Sequence, residues 1–371
     1  MELAAKSSPA TLAAHLYPHA EQLLQAGGGG PPAVAAVLAL FARYGTPSAG
    51  NPPIQLVTRL AAELLGGTQA QRCPDAAIVE AREALFRLAA GVRRSGGGAA
   101  DELERLMQGV HFAAMRVTLG ELGLHEHAAR AAVSALRLVG GGGAPAPAAD
   151  RAYFEAGLAA RKAGWPGAAL VFLNRFVDLC EAIEDGGGEI SSIDNSALEH
   201  SGLIAPADYV TLPHSLFASE QVREEIKEWI IATSSKYLPP EEARGSPAHP
   251  PPPPHPPPPT AHNFSPFSPN PGADCDPRTY LSLSPASVDR NVRQALPTRP
   301  CFSCGAAVFE GALSCSACKS SFPCCAITGY PMAAAVTCAG CSARCAKATW
   351  NEIARKLKKC LLCGVSSSPS L

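Results

Sequence analysis

Cysteine is the residue type of this chain best able to do chemistry, and its placement is uneven. Of fourteen cysteines, Cys73, Cys180 and Cys275 are scattered, and the other eleven lie between Cys301 and Cys363. Four Cys-x-x-Cys pairs stand out: Cys301/Cys304, Cys315/Cys318, Cys338/Cys341 and Cys360/Cys363. Two thiolates three residues apart can grip one tetrahedral ion at about 2.3 Å, and two such turns complete a closed four-thiolate site. In a reducing compartment clustered thiols go to metal before disulfide. The four pairs therefore predict two structural zinc ions (Zn2+). A redox role is disfavoured, because no Trp or His neighbours a pair within a βαβ pattern.

Ten residues separate Cys304 from Cys315, the length of a short hairpin arm, so the first two pairs suit one zinc ribbon. Cys338, Cys341, Cys360 and Cys363 remain for the second ion. Between them the spacing predicts a helix over 346–359 with Trp350, Ile353 and Leu357 inward. Its Lys347, Arg355, Lys356, Lys358 and Lys359 make it basic, which suits an acidic partner or, for the residues of its last turn, the negative end of the helix dipole. The preceding stretch, Cys325-Ala326-Ile327-Thr328-Gly329-Tyr330-Pro331-Met332, resembles the loop that opens a U-box. A RING/U-box-like core with one retained site is then expected, with Cys325 and Cys345 as unpaired remnants of the other. Two tandem ribbons are the competing arrangement.

These ligands need positioning, and the rest of the chain supplies different material. The 371 residues suggest two or three units. Hydrophobic residues make up 47% and the formal net charge is -1, which excludes wholesale disorder and gives no field to gather nucleic acid. The first long apolar run, 33–42, is half a membrane span, and no signal-peptide pattern opens the chain. The chain reads as soluble and intracellular, without membrane insertion.

From Ser8 to about Asp185, Ala/Leu-rich helical segments alternate with glycine runs at 27–30, 96–98, 140–143 and 186–188, which cannot sit inside helices. Gly123 is followed five residues later by Ala128, and Gly164 likewise by Ala169. Small residues at this place, with Gly157 twelve before Ala169, let paired helices lie close, as in tetratricopeptide-type repeats. Residues 189–216 read as an acidic, polar loop. A helix over 219–237 follows, with Val222, Ile226, Trp229 and Ile230 on one face and Trp229 as a core anchor. Proline then dominates 239–259, which suits extended polyproline II, and Ser/Pro/Asn-rich sequence continues to about Pro300. His249, His255 and His262 fall in that spacer and read as solvated. The fold class is thus mostly α: a tetratricopeptide-like helical-repeat solenoid over 1–238, a Pro-rich linker over 239–297 and a small α+β zinc-binding module over 298–371. Because the linker transmits few contacts, loss of Cys338 is expected to unfold the module and spare the helices.

Two stretches carry a family resemblance. Residues 149–157 (ADRAYFEAG) and 163–165 (AGW), followed by 171–179 (VFLNRFVDL) and 181–184 (EAIE), resemble the C-terminal region of the 172-kilodalton intraflagellar transport subunits. Thr328-Gly329-Tyr330-Pro331 and Trp350-Asn351 match the family's end in the same order. The resemblance implies a peripheral subunit of complex B, a non-catalytic scaffold contacting other subunits of complexes B and A in ciliary trains. The implied location is the cilium or flagellum, the ciliary base and the cytoplasm. The family's N-terminal β-propellers have no counterpart in this sequence, so it looks like a C-terminal fragment. An alternative is ubiquitin binding or ubiquitin-ligase activity of the module, with Ile327, Leu361 and Leu362 contacting ubiquitin or a conjugating enzyme. No nucleophile–base constellation and no phosphate-binding glycine motif placed after a strand is present, which argues against an enzyme.

Overall fold

The structure is a computed structural model, and it describes residues 18, 20, 22, 30–44, 54–66, 75–92, 99–139, 148–185, 192–194, 209–211, 215–234 and 296–370. The proline-rich segment with its three histidines, Cys73, Cys275 and most of the glycine runs lie outside the described residues.

The first helices are α1 (Gly30–Tyr44), α2 (Ile54–Leu65), α3 (Asp75–Val92) and α4 (Ala99–Glu121). Their heptad-like apolar stripes explain why they cluster. In α2, Leu56, Val57, Leu60, Ala61, Leu64 and Leu65 are all buried, packing with Val34 and Leu38 of α1, Leu85 of α3 and Leu106 and Val110 of α4.

Two helical hairpins follow the same local plan. α4 turns into α5 (His125–Ala135), and α6 (Ala149–Lys162) turns into α7 (Pro166–Asp185). Gly123 and Gly164 occupy the left-handed region, with φ of 70° and 76°. In each turn the next amide reaches back five residues, Leu124 N–H to Leu119 O at 2.8 Å and Trp165 N–H to Ala160 O at 2.9 Å. This closure satisfies a terminal carbonyl and reverses the chain. Ala128 and Ala169 then sit buried at the start of the returning helix. Gly157 explains the close approach within the second hairpin, since a Cβ there would lie 2.5 Å from Leu173 Cγ. The small-residue spacing read from the sequence therefore marks real helix–helix contacts.

The stretch expected as a loop over 189–216 contains a short antiparallel pair, β1 (Ser192–Asp194) with β2 (Tyr209–Thr211). Three-residue strands carry too little alternation to announce themselves. α8 (Glu220–Ser234) packs Ile226 and Ile230 into the core. Trp229 is only half-buried, and the Arg161 guanidinium lies over its ring at 5.1 Å. No helix among the described residues is long and apolar enough to cross a membrane.

The C-terminal module holds β3 (Thr298–Pro300) paired with β4 (Ala307–Phe309), β5 (Ala335–Thr337) paired with β6 (Arg344–Ala346), and α9 (Lys347–Leu357). Trp350 and Ile353 face inward as expected, with Leu357 partly buried. The expected mechanical separation of module and helices is corrected by the contacts. Val308, Phe309 and Tyr330 share one core with α6 and α7. Ile327, Met332, Trp350 and Ile353 share another with Ala114, Met115 and Leu119 of α4 and with Ala128 and Ala131 of α5. The module's two acidic residues both turn toward α5, Glu310 to Arg130 at 2.9 Å and Glu352 to His127 at 2.8 Å. Lys356 Nζ donates to Leu122 O at 2.6 Å, at the end of α4. A spacer in the sequence does not prevent its two ends from packing together.

Candidate metal centres

Each Cys-x-x-Cys pair sits on the same hydrogen-bonded turn. The amide four residues after the first cysteine donates back to that cysteine's carbonyl: Gly305 to Cys301 at 3.1 Å, and Lys319 to Cys315, Ser342 to Cys338 and Gly364 to Cys360 at 2.9 Å. The first cysteine's own amide donates to the residue five ahead, as in Cys301 to Ala306 and Cys360 to Val365, both at 2.7 Å. The fourth residue after the cysteine must enter the left-handed region to close this loop. Glycine does so at 305 and 364, while Lys319 and Ser342 adopt φ of 58° and 57° against the preference of a residue with a Cβ. A short antiparallel bridge clamps the base of every turn.

The turns converge in pairs. Cys301, Cys304, Cys315 and Cys318 form one group and Cys338, Cys341, Cys360 and Cys363 the other, with all sulfurs of a group within 4.8 Å of one another. Cys301 and Cys318 sulfurs are 3.7 Å apart, Cys304 and Cys315 3.8 Å, Cys338 and Cys363 3.7 Å, and Cys341 and Cys360 4.0 Å. Four sulfurs at about 2.3 Å from a central ion define a tetrahedron with edges of about 3.8 Å. The spacing therefore fits a four-thiolate ion in both groups.

The thiols are also prepared unequally. The Cys341 amide, with that of Gly340, holds Cys338 down to about 6, whereas burial pushes Cys360 up to about 12. In the first group the Cys304 amide lowers Cys301, and the Ser320 hydroxyl and amide bring Cys318 down to about 6. Four crowded sulfurs thus share protons that a divalent cation would displace.

A fifth turn repeats the geometry without the second cysteine. Gly329 N–H donates to Cys325 O and Cys325 N–H to Tyr330 O, both at 2.8 Å, with Gly329 at φ 70° and Cys324 bridged to Pro331. Thr328 stands where the other turns place their second ligand. Cys325 and Cys345 belong to neither four-cysteine group; the Ala346 amide donates to Cys325 Sγ at 3.3 Å, and with the Cys345 thiol as the leading cause this hydrogen bonding holds Cys325 down to about 5. The signal for this turn was present in the sequence, because Cys325 and Gly329 keep the four-residue offset of Cys301/Gly305 and Cys360/Gly364.

Ile327, at the tip of the fifth turn, is fully buried at 0% exposure against α4 and α5, and Leu361 and Leu362 are half-buried against the same cluster. The expected ubiquitin or conjugating-enzyme contact at Ile327 is corrected accordingly, since helices already cover that side chain. Its neighbours are read by the helices as well. His111 Nε2–H donates to Ala326 O at 2.7 Å, Ser134 Oγ–H to Thr328 O at 2.7 Å and Arg137 Nη1–H to Gly329 O at 2.8 Å. Arg137 Nη2 also donates to Gly311 O. These helical side chains escaped sequence reasoning, because no local pattern marks a contact across more than 170 residues.

No family model matches the chain. Curated proteins do. Intraflagellar transport protein 172 of Chlamydomonas reinhardtii is 27% identical over 337 residues, covering 89% of this chain and 15% of that protein. The Mus musculus homologue is 30% identical over 242 residues, 63% of this chain and 13% of its own length. This chain is related to intraflagellar transport protein 172. A third relative, intraflagellar transport protein osm-1 of Caenorhabditis elegans, is 30% identical over 206 residues, 53% of this chain and 11% of its own. The chain thus spans less than a sixth of the length of these intraflagellar transport relatives.

Proposed function

We propose that this chain acts as a non-catalytic scaffold segment of intraflagellar transport complex B, corresponding to the C-terminal part of a 172-type subunit, and that it works in the cilium or flagellum. The observation that carries this reading is the similarity to intraflagellar transport protein 172 across 89% of the chain. The fold is compatible with it: α4 packs with α5 and α6 with α7, and paired helices of this kind are the units that repeat proteins stack to bind protein partners. Two zinc ions, one on Cys301, Cys304, Cys315 and Cys318 and one on Cys338, Cys341, Cys360 and Cys363, are structural in this reading. Closed four-thiolate sites leave no position open for a substrate, and what bound zinc supplies is folding free energy.

Affinity purification of the tagged full chain from flagellar extract tests the reading. Recovery of other complex B or complex A subunits is expected. A purification that enriches none of them, while the chain itself stays folded and zinc-loaded, contradicts it.

A further inference from the structure

The fifth turn has the backbone of a zinc knuckle, no second cysteine, and a tip inserted into the helices. Three of its carbonyls, on Ala326, Thr328 and Gly329, are each met by a different helical donor, His111, Ser134 and Arg137. Between them Ile327 enters an apolar socket made by Ala114, Met115 and Leu119 of α4 and Ala128 and Ala131 of α5. A turn without a metal of its own must be held in shape by its neighbours. In sequence it hangs between Cys318 of the first centre and Cys338 of the second. Ala326 N–H donates to Arg344 O at 2.9 Å, and Ala346 N–H reaches Cys325 Sγ, so the turn is fastened to the β5–β6 hairpin. That hairpin carries Cys338 and Cys341, and its conformation depends on what those thiolates hold.

We infer that the fifth turn is a metal-gated latch: with both four-thiolate centres loaded it plugs the α4–α5 socket, and on loss of zinc it withdraws and uncovers that socket and Ile327. The inference rests on the metal reading above. It assigns the Cys325–Tyr330 turn a docking role and makes His111, Ser134 and Arg137 its receptor.

Gly329 provides a test that leaves the ligands alone. A Cβ at Gly329 would stand 2.5 Å from Ser134 Oγ and 2.8 Å from Phe112 Cζ, whereas one at Gly164, in the α6–α7 turn and away from both metal centres, meets nothing within 4 Å. Both glycines are left-handed, with φ of 70° and 76°, so the backbone strain of substitution is matched. The experiment compares the zinc-loaded full chain, Gly329→Ala and Gly164→Ala. Zinc per chain is counted by native mass spectrometry, and amide exchange is followed in α4 and α5. Gly329→Ala is expected to keep its zinc while exchange in α5 and the second half of α4 rises at least tenfold. Gly164→Ala is expected to match the parent chain there. Stripping zinc from the parent with a chelator is expected to reproduce the Gly329→Ala pattern. Unchanged α4–α5 exchange after Gly329→Ala, or after verified zinc removal, overturns the latch and leaves the metal reading standing. A parent chain that takes up no zinc overturns both.

Discussion

Lys319 and Ser342 show the chemistry of the centres imposing itself on single residues. Both hold a left-handed backbone only because the turn must close around a sulfur ligand, at a cost of about 1 kcal/mol each. Glycine at either place removes that strain and loses part of the gain to its freer unfolded chain. Lys319→Gly and Ser342→Gly are each expected to stabilise the module by up to about 1 kcal/mol, read as a higher denaturant midpoint for zinc release. His111 makes a second prediction at this scale. Arg82 Nε–H donates to its Nδ1 at 3.0 Å while Nε2–H faces Ala326 O, so the ring is neutral. Burial, reinforced by the Arg82 charge, lowers its pKa to about 4. The unfolded chain takes up a proton near pH 6.5 and the folded chain does not, so this contribution is full above pH 6.5 and declines as pH falls toward 4. Between pH 7 and pH 5 the parent chain is expected to lose roughly 2 kcal/mol more unfolding free energy than His111→Gln. Equal losses in the two proteins contradict this role for the ring.

Helical hairpins and knuckles are the elements, and both were largely legible in the sequence. A Cys-x-x-Cys pair, a glycine that ends a helix and an alanine five residues later are local signals, each acting over one turn of chain. Gly157 illustrates how far they reach, because its spacing to Ala169 marks the place where α6 and α7 touch. Gly157→Val is expected to lower stability by about 1–3 kcal/mol through a clash with Leu173, seen as a lower thermal midpoint of the helical signal. A midpoint within a degree of the parent contradicts close packing there. The three-residue strands β1 and β2 were not legible, because such short strands carry no period to detect. The fifth turn was half legible: its cysteine and glycine were visible, but its partner was not.

At the scale of the whole molecule the decisive contacts are long-range. Ser134 to Thr328 and Arg137 to Gly329 join residues separated by 194 and 192 positions, across the proline-rich stretch that sequence reasoning took as a divide. Periodicity describes which face of a helix is apolar, not what covers it. The module therefore behaves as part of the helical array rather than as an appendage, and Cys338→Ser is expected to perturb α4 and α5 as well as the tail. The most direct measurement is native mass spectrometry of the purified full chain beside its Cys338→Ser variant. Two zinc ions on the parent and one on the variant are expected. A parent chain that remains folded with no bound zinc contradicts the metal centres on which the rest is built.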